Sequence, residues 1–200
     1  MAPKAVLATI FGHTGVPSLF FQNFVATVIT DTDIIFGGDV IMREGGLELF
    51  DARNWTIDFW LENYADKDWL YFTDSDQAWR PPELFEFIKH ADANGPGVYS
   101  GVYHRWSARD YTVDYAIFDK DRKPITNASD NGGYFEVEYV PAGALLVHKD
   151  VAETIASDYF TCDWRTEGED IAFCDRVTKA GFPIRIDWRY RVGHIKYMVV

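Results

Sequence analysis

WLYFTDSDQAW, residues Trp69–Trp79, carries an apolar strand straight into two carboxylates one residue apart. Residues 70–73 form a short apolar run suited to a central strand covered on both faces. The turn that follows holds Asp74, Ser75 and Asp76, and Pro81-Pro82 then opens a helix, because proline fits the first helical turn. Ligands of open α/β sheets bind just past the carboxyl ends of strands. Alternate residues of an extended segment point the same way, so both carboxylates are placed to face one ligand. The competing reading is local: one aspartate caps the helix and the other is solvated.

Outward from this stretch the first half alternates. Residues 5–11 read as a strand, 19–29 as an apolar helix, 34–42 as a strand or strand pair, and 47–63 as a helix. After the strand at Leu70 comes a helix over 83–91 with Leu84, Phe85 and Ile88 on its buried face. Such βαβ alternation predicts a parallel sheet. From Gly97 the rhythm changes to short strand-like runs at 98–103, 113–118, 135–139 and 144–147, separated by turn signals such as DKDRKP and SDNGG. A short helix is expected over 150–156. A stronger one starts near Glu169, with Phe173, Cys174 and Val177 inward and Gly181 as its stop. Residues 184–197 read as extended.

Two hundred residues suit one domain with a substantial core, and 48% hydrophobic with 25% charged residues is ordinary globular composition. A net charge of −12 disfavours nucleic acid and anionic membrane as partners, yet admits a small anionic ligand if a metal supplies positive charge. The two cysteines, Cys162 and Cys174, make neither a disulfide framework nor a Cys-x-x-Cys zinc pattern. The run MAPKAVLATIFGHTG is interrupted by Gly12-His13 too early for a signal-peptide core, and no stretch approaches membrane-spanning length, so a cytoplasmic protein is expected. The NAS at Asn127 fits a glycosylation acceptor but carries little weight without a secretion signal.

Four further features stand out: DARN around Arg53, the glycine turn of VPAGALLV with Gly143, GEDIAFCDRVTKAGFPI from Gly168, and RVGH ending at His194. In this order, with KDWLYFTDSDQAWRPPEL, they resemble the GT-A glycosyltransferases across nearly the whole chain, most closely the small phage- and bacteria-associated transferases related to processive polysaccharide synthases. The resemblance implies a Rossmann-like, mostly parallel central sheet flanked by helices, with a smaller mixed or antiparallel C-terminal half. It divides a single domain over 1–200 into a nucleotide-binding half, 1–96, and an acceptor and catalytic half, 97–200.

The resemblance also implies a chemistry. Breaking the anomeric bond of a nucleoside-diphosphate sugar builds negative charge on the diphosphate, and a divalent metal held by carboxylates neutralises it. Asp76 is then a metal ligand, Asp74 touches the ribose, the metal or its water shell, and His194 completes the site. Oxygen and imidazole donors together favour Mn2+ over Mg2+. Asp170 matches the general base that takes the proton of an acceptor hydroxyl in an inverting transfer, with Glu169 orienting the acceptor. Thr9, Phe11 and His13 match the segment that cradles the nucleobase. Arg53, Ser75 and Lys196 join the donor site. Gly143, Trp164 and Arg165 are expected on the acceptor side, with Trp106 and Tyr111 as further aromatic surface. The acceptor is a hydroxyl of a protein, a glycan or a lipid head group. Two other functions remain: a nucleotidyltransferase, for which FGHTGVPS lacks a basic triphosphate-binding residue, and a sugar- or nucleotide-binding protein without turnover.

Overall fold

A computed structural model of the chain describes residues 2–11, 16–45, 48–102, 104–106, 113–115, 117–119, 121, 123, 125, 133–163 and 165–195. In chain order its elements are β1 (Ala5–Phe11), α1 (Ser18–Thr30), β2 (Val40–Glu44), α2 (Leu49–Asn63), β3 (Trp69–Asp74), β4 (Gln77–Ala78) and α3 (Pro81–Asn94). They continue with β5 (Val98–Val102), β6 (His104–Trp106), β7 (Val113–Tyr115), β8 (Tyr134–Glu136), β9 (Ala144–His148), α4 (Lys149–Ile155), α5 (Glu169–Lys179), β10 (Ile184–Arg191) and β11 (Gly193–His194).

Seven strands form one sheet in the order β2-β1-β3-β9-β5-β10-β8. β1 pairs parallel with β2 and β3, and β5 pairs parallel with β10. β9 lies antiparallel to both β3 and β5, and β8 antiparallel to β10. Five strands therefore run one way and β9 and β8 run against them. The sheet is mostly parallel, as the alternation of the first half predicts. Two short pairs, β4 with β11 and β6 with β7, stand outside it.

The alternation of side chains along each strand sorts the core into two layers. Val6, Ala8, Ile10, Leu70 and Phe72 pack with Ala52, Ile57 and Trp60 of α2, Val151 of α4, and Phe173, Cys174 and Val177 of α5. Ala5, Leu7, Trp69 and Tyr71 pack with Phe20 of α1 and with Leu84, Phe87, Ile88 and Ala91 of α3. The three inward residues expected of the GED helix are buried, and Phe173 stacks on Phe160 at 4.3 Å between ring centres. α5 carries Glu169 and Asp170 in its first turn and Arg176 and Lys179 in its last, complementing its dipole at both ends. Gly181 follows at φ +84°, a conformation that favours glycine and ends the helix.

Two boundaries differ from the sequence expectation. The run 34–42 is not a strand pair; only Val40–Glu44 joins the sheet. Asp31 takes hold of the preceding residues, its carboxylate accepting from the N–H groups of Ile35, Phe36 and Gly37 at 2.8, 2.8 and 2.9 Å, while Gly37 and Gly38 turn the chain at positive φ. A short-range carboxylate thus outcompetes an apolar run for the same backbone donors. The last stretch is also not one continuous strand: β10 has an irregular register between Asp187 and Arg191, and β11 pairs with β4 instead. Both cysteines are free, and burial pushes the Cys174 thiol up to about 12.

Candidate functional site

β3 ends at Asp74, and the site grows from that end. The Asp74 N–H donates to the carbonyl of Gly143 at 3.0 Å, and the Ser75 N–H to that of Ile10 at 3.3 Å. The turn is thus tied on one side to the glycine segment that leads into β9 and on the other to β1. Neither aspartate caps α3, whose N-cap is Arg80 without a side-chain cap bond. The local reading of the two carboxylates as a helix cap therefore falls.

The two carboxylates meet different partners. Arg53 of α2 is only 2% exposed, and its Nη2 donates to Asp74 Oδ1 at 3.2 Å and Oδ2 at 3.3 Å. The same guanidinium donates through Nη1 to the Ala142 carbonyl at 3.1 Å, and its Nε lies 3.7 Å from Glu169 Oε1. Arg53 thereby joins the end of β3, the glycine segment and the start of α5. Asp76 instead lies with Oδ2 at 3.0 Å from His194 Nε2. The β4–β11 pair brings them together: His194 is in register with Gln77, and the Ile195 N–H donates to the Asp76 carbonyl at 2.7 Å. Gln77 donates through Nε2 to Asp76 Oδ1 at 3.3 Å, while its buried Oε1 has no hydrogen-bond partner among the described residues.

Among the described residues no group of three or more His, Cys, Asp and Glu side chains gathers tightly enough to hold a metal ion. Asp74 does not join Asp76 and His194 in such a cluster. A carboxylate oxygen and an imidazole nitrogen one hydrogen-bond length apart are donor types suited to a divalent cation.

Asp170 stands at the start of α5 and is partly buried. Burial raises the carboxyl above the ordinary aspartate range, and the Glu169 charge adds to this. The Ile171 N–H, donating to Oδ1 at 2.8 Å, and the Arg53 charge act in the opposite direction. The carboxylate folds back over Gly168 so closely that a Cβ there would meet Asp170 Oδ1 at 2.8 Å. The Gly of GED is thus a requirement of the carboxylate's position. Beside it opens a cavity of about 450 Å³ whose lining includes Leu49, Phe50, Cys162, Arg165, Gly168 and Glu169.

The remaining expected residues fall as follows. Thr9 is buried, and by the alternation of β1 it faces the α1 and α3 layer; its hydroxyl has no partner among the described residues. Phe11 packs at the edge of that layer. Ser75 is buried in the turn. His13, Trp164, Lys196, Tyr111, Asn127 and the side chain of Trp106 lie outside the described residues. Sequence reasoning overlooked Asn54. Its Nδ2 donates to Thr161 Oγ1 at 2.8 Å and its Oδ1 accepts from the Phe160 N–H at 2.8 Å, which pins the segment entering the cavity. The available signal was its place beside Arg53 in DARN, since successive helix residues face different directions.

Comparison of the sequence with protein-family models and with curated proteins gives no match. Solved structures do match. The crystal structure of A197 from STIV superposes with a TM-score of 0.69 at 16% identity, covering 96% of this chain and 86% of that one. GalNAc-T7, solved with UDP, GalNAc and Mn2+, superposes with a TM-score of 0.64 at 12% identity, covering 98% of this chain but only 43% of that one. At these identities the likeness is one of fold, and the fold of this chain is the GT-A-like α/β architecture that its motifs resemble.

Proposed function

We propose that this protein is a metal-dependent glycosyltransferase that moves a sugar from a nucleoside-diphosphate sugar to a hydroxyl acceptor with inversion. The observation that carries the reading is the pairing of Asp76 with His194 at 3.0 Å beside the carboxyl end of β3, on a GT-A-like fold. Asp76 and His194 would hold the divalent metal, Mn2+ in preference to Mg2+, and Asp74 would contact the ribose or the metal's water shell. When bound, the metal neutralises charge on the diphosphate leaving group.

The chain's own residues do the rest. Asp170 accepts the proton of the acceptor hydroxyl as that oxygen bonds to the anomeric carbon and the bond from that carbon to the diphosphate oxygen breaks, the electron pair leaving with the diphosphate. A carboxyl raised by burial is a stronger base than a solvated aspartate, which suits this task. Glu169, held from behind by Arg53, orients the acceptor, and the cavity lined by Arg165 and Glu169 receives it. Thr9, Phe11, Ser75, His13 and Lys196 are assigned to the donor side, and Trp164 to the acceptor side, by resemblance. GalNAc-T7 is solved with UDP and Mn2+, which supports trying UDP first.

The test is a thermal-shift screen of nucleoside diphosphates with and without Mn2+, followed by donor hydrolysis. Ligand that binds only the folded state raises its stability by RT ln(1 + [L]/Kd), so one base should give a metal-dependent rise. Slow release of nucleoside diphosphate from the matching sugar donor then marks a transferase, and binding without release marks a protein that holds nucleotide sugars without turnover. No metal-dependent stabilisation by any nucleoside diphosphate would defeat the proposal.

A further inference from the structure

Half a turn away from the core, α1 presents an unusual surface. Charged residues make up 25% of the chain, yet SLFFQNFVATVIT, the whole of α1, contains none. Its inner side is fastened to the body: Trp79 donates through its backbone N–H to Asn23 Oδ1 at 3.0 Å and through Nε1 to Thr27 Oγ1 at 2.9 Å, and Phe20 is buried. Its outer side carries Phe21, Val25, Val28 and Ile29, a spacing that draws one apolar stripe along a helix. All four are exposed, Phe21 at 61% and Ile29 at 74%. At the C-terminal end of the helix Ile34 is 68% exposed and sits at φ +55°. That backbone conformation is costly for a β-branched residue. It is maintained by the Asp31 carboxylate, which binds the three N–H groups that follow Ile34. An apolar side chain is thus presented to solvent at the end of an apolar stripe.

We propose that this face of α1 is the contact between two copies of this chain in a twofold dimer. The charge distribution selects the occupant. Each copy carries a formal net charge of −12, so two copies repel one another on the whole. A helix without charges is where they approach at least Coulomb cost, and a stripe that is apolar along its length is complementary to itself under a twofold axis. A basic protein partner would be drawn to the acidic surface instead of the neutral helix. A membrane surface is disfavoured because helices that lie in the headgroup region use Lys and Arg on their polar face, and α1 has neither. A helix of thirteen residues is roughly 20 Å long, short for a standard interface, so the dimer forms in a concentration-dependent way. This inference does not depend on the catalytic reading.

The test is sedimentation equilibrium of the full chain from about 1 µM to about 100 µM at physiological salt. The expected result is a mass that rises from monomer to dimer, and an Ile29→Glu variant that stays monomeric with unchanged circular dichroism and melting temperature. Met42→Glu, at another exposed apolar residue, on the edge strand β2, should leave the dimer intact. Val25→Glu gives a second reading should Ile29→Glu fold poorly. A monomeric wild type at the highest concentration, a dimer that survives both α1 variants, or a dimer lost in Met42→Glu overturns the proposal. So does flotation of a monomeric wild type with phosphatidylcholine vesicles.

Discussion

Asp74 and Asp76 are separated by a single serine, and the fold gives them opposite surroundings. Asp74 is answered from inside the protein by Arg53, a buried cation that does not lose its charge, and through it is coupled to Glu169 at the start of α5. Asp76 is answered from a distant part of the chain by His194, a side chain of the kind that can also ligate a metal. A guanidinium can only neutralise a carboxylate, whereas an imidazole can share a cation with it. The first pair builds the frame and the second is the exchangeable one, so substitutions on the two sides should have different signatures.

The largest effect is expected on the exchangeable side. Asp76→Ala should abolish metal-dependent nucleotide binding while the apo protein keeps its stability to within about 0.5 kcal/mol, because Asp76 is a partly exposed residue outside the core. Isothermal titration with and without Mn2+ measures this, and an unchanged metal-dependent affinity would remove Asp76 from the metal site.

Asp170→Asn should lower the transfer rate on the order of 10²- to 10⁴-fold and leave donor Kd nearly unchanged, since a positioned base acts on the acceptor proton and not on donor binding. The two quantities are to be measured on one folded preparation. Normal turnover with a lowered melting temperature would reduce Asp170 to a residue that only complements the helix dipole.

On the frame side, Arg53→Met keeps most of the volume and removes the charge. It leaves Asp74 and Glu169 without their shared partner. Both carboxylates are about a quarter to a third exposed, so water recovers part of the loss, and a decrease of about 2 kcal/mol in urea denaturation is expected, below the cost for a fully buried pair. No loss of stability would mean that Arg53 is not a structural counter-charge.

The smallest effect links the two sides. The proposed base, Asp170, would work deprotonated, and its carboxyl is raised in the folded protein, so transfer should fall on acidification at a pH above the ordinary aspartate range. Arg53 acts to lower that same carboxyl. Arg53→Met should therefore move the acid limb of the rate profile to still higher pH, whereas Asp76→Ala should not move the limb of any residual rate. A limb that stays in place in Arg53→Met would uncouple Arg53 from the base.

What could be read in the sequence and what could not follow a physical divide. The strand ending at Asp74, the proline-led helix and the GED helix were legible because apolar period, prolines and a stop glycine are local signals. The turn at 34–39 was misread because three N–H groups bonded to Asp31 leave no periodic trace. The insertion of β9 between β3 and β5 was also invisible, since pairing joins residues far apart in the chain. The site divides the same way. The carboxylates and His194 were recognisable as motif members, but no spacing announces that Arg53 is buried under the turn or that His194 meets Asp76 and not Asp74.

That last contact closes a loop of 118 residues. Bringing together two ends of such a span has an entropic cost that must be met by β5, β9 and β10 already in their places. A chain emerging from the ribosome presents Asp76 long before it presents His194. The imidazole half of the pair is therefore missing from every nascent chain that has not yet extended through β11, and pairing of the two marks a chain made at least that far. A chain stalled within β10 would carry the DSD turn, the glycine segment and the GED carboxylates, yet lack the imidazole that pairs with Asp76.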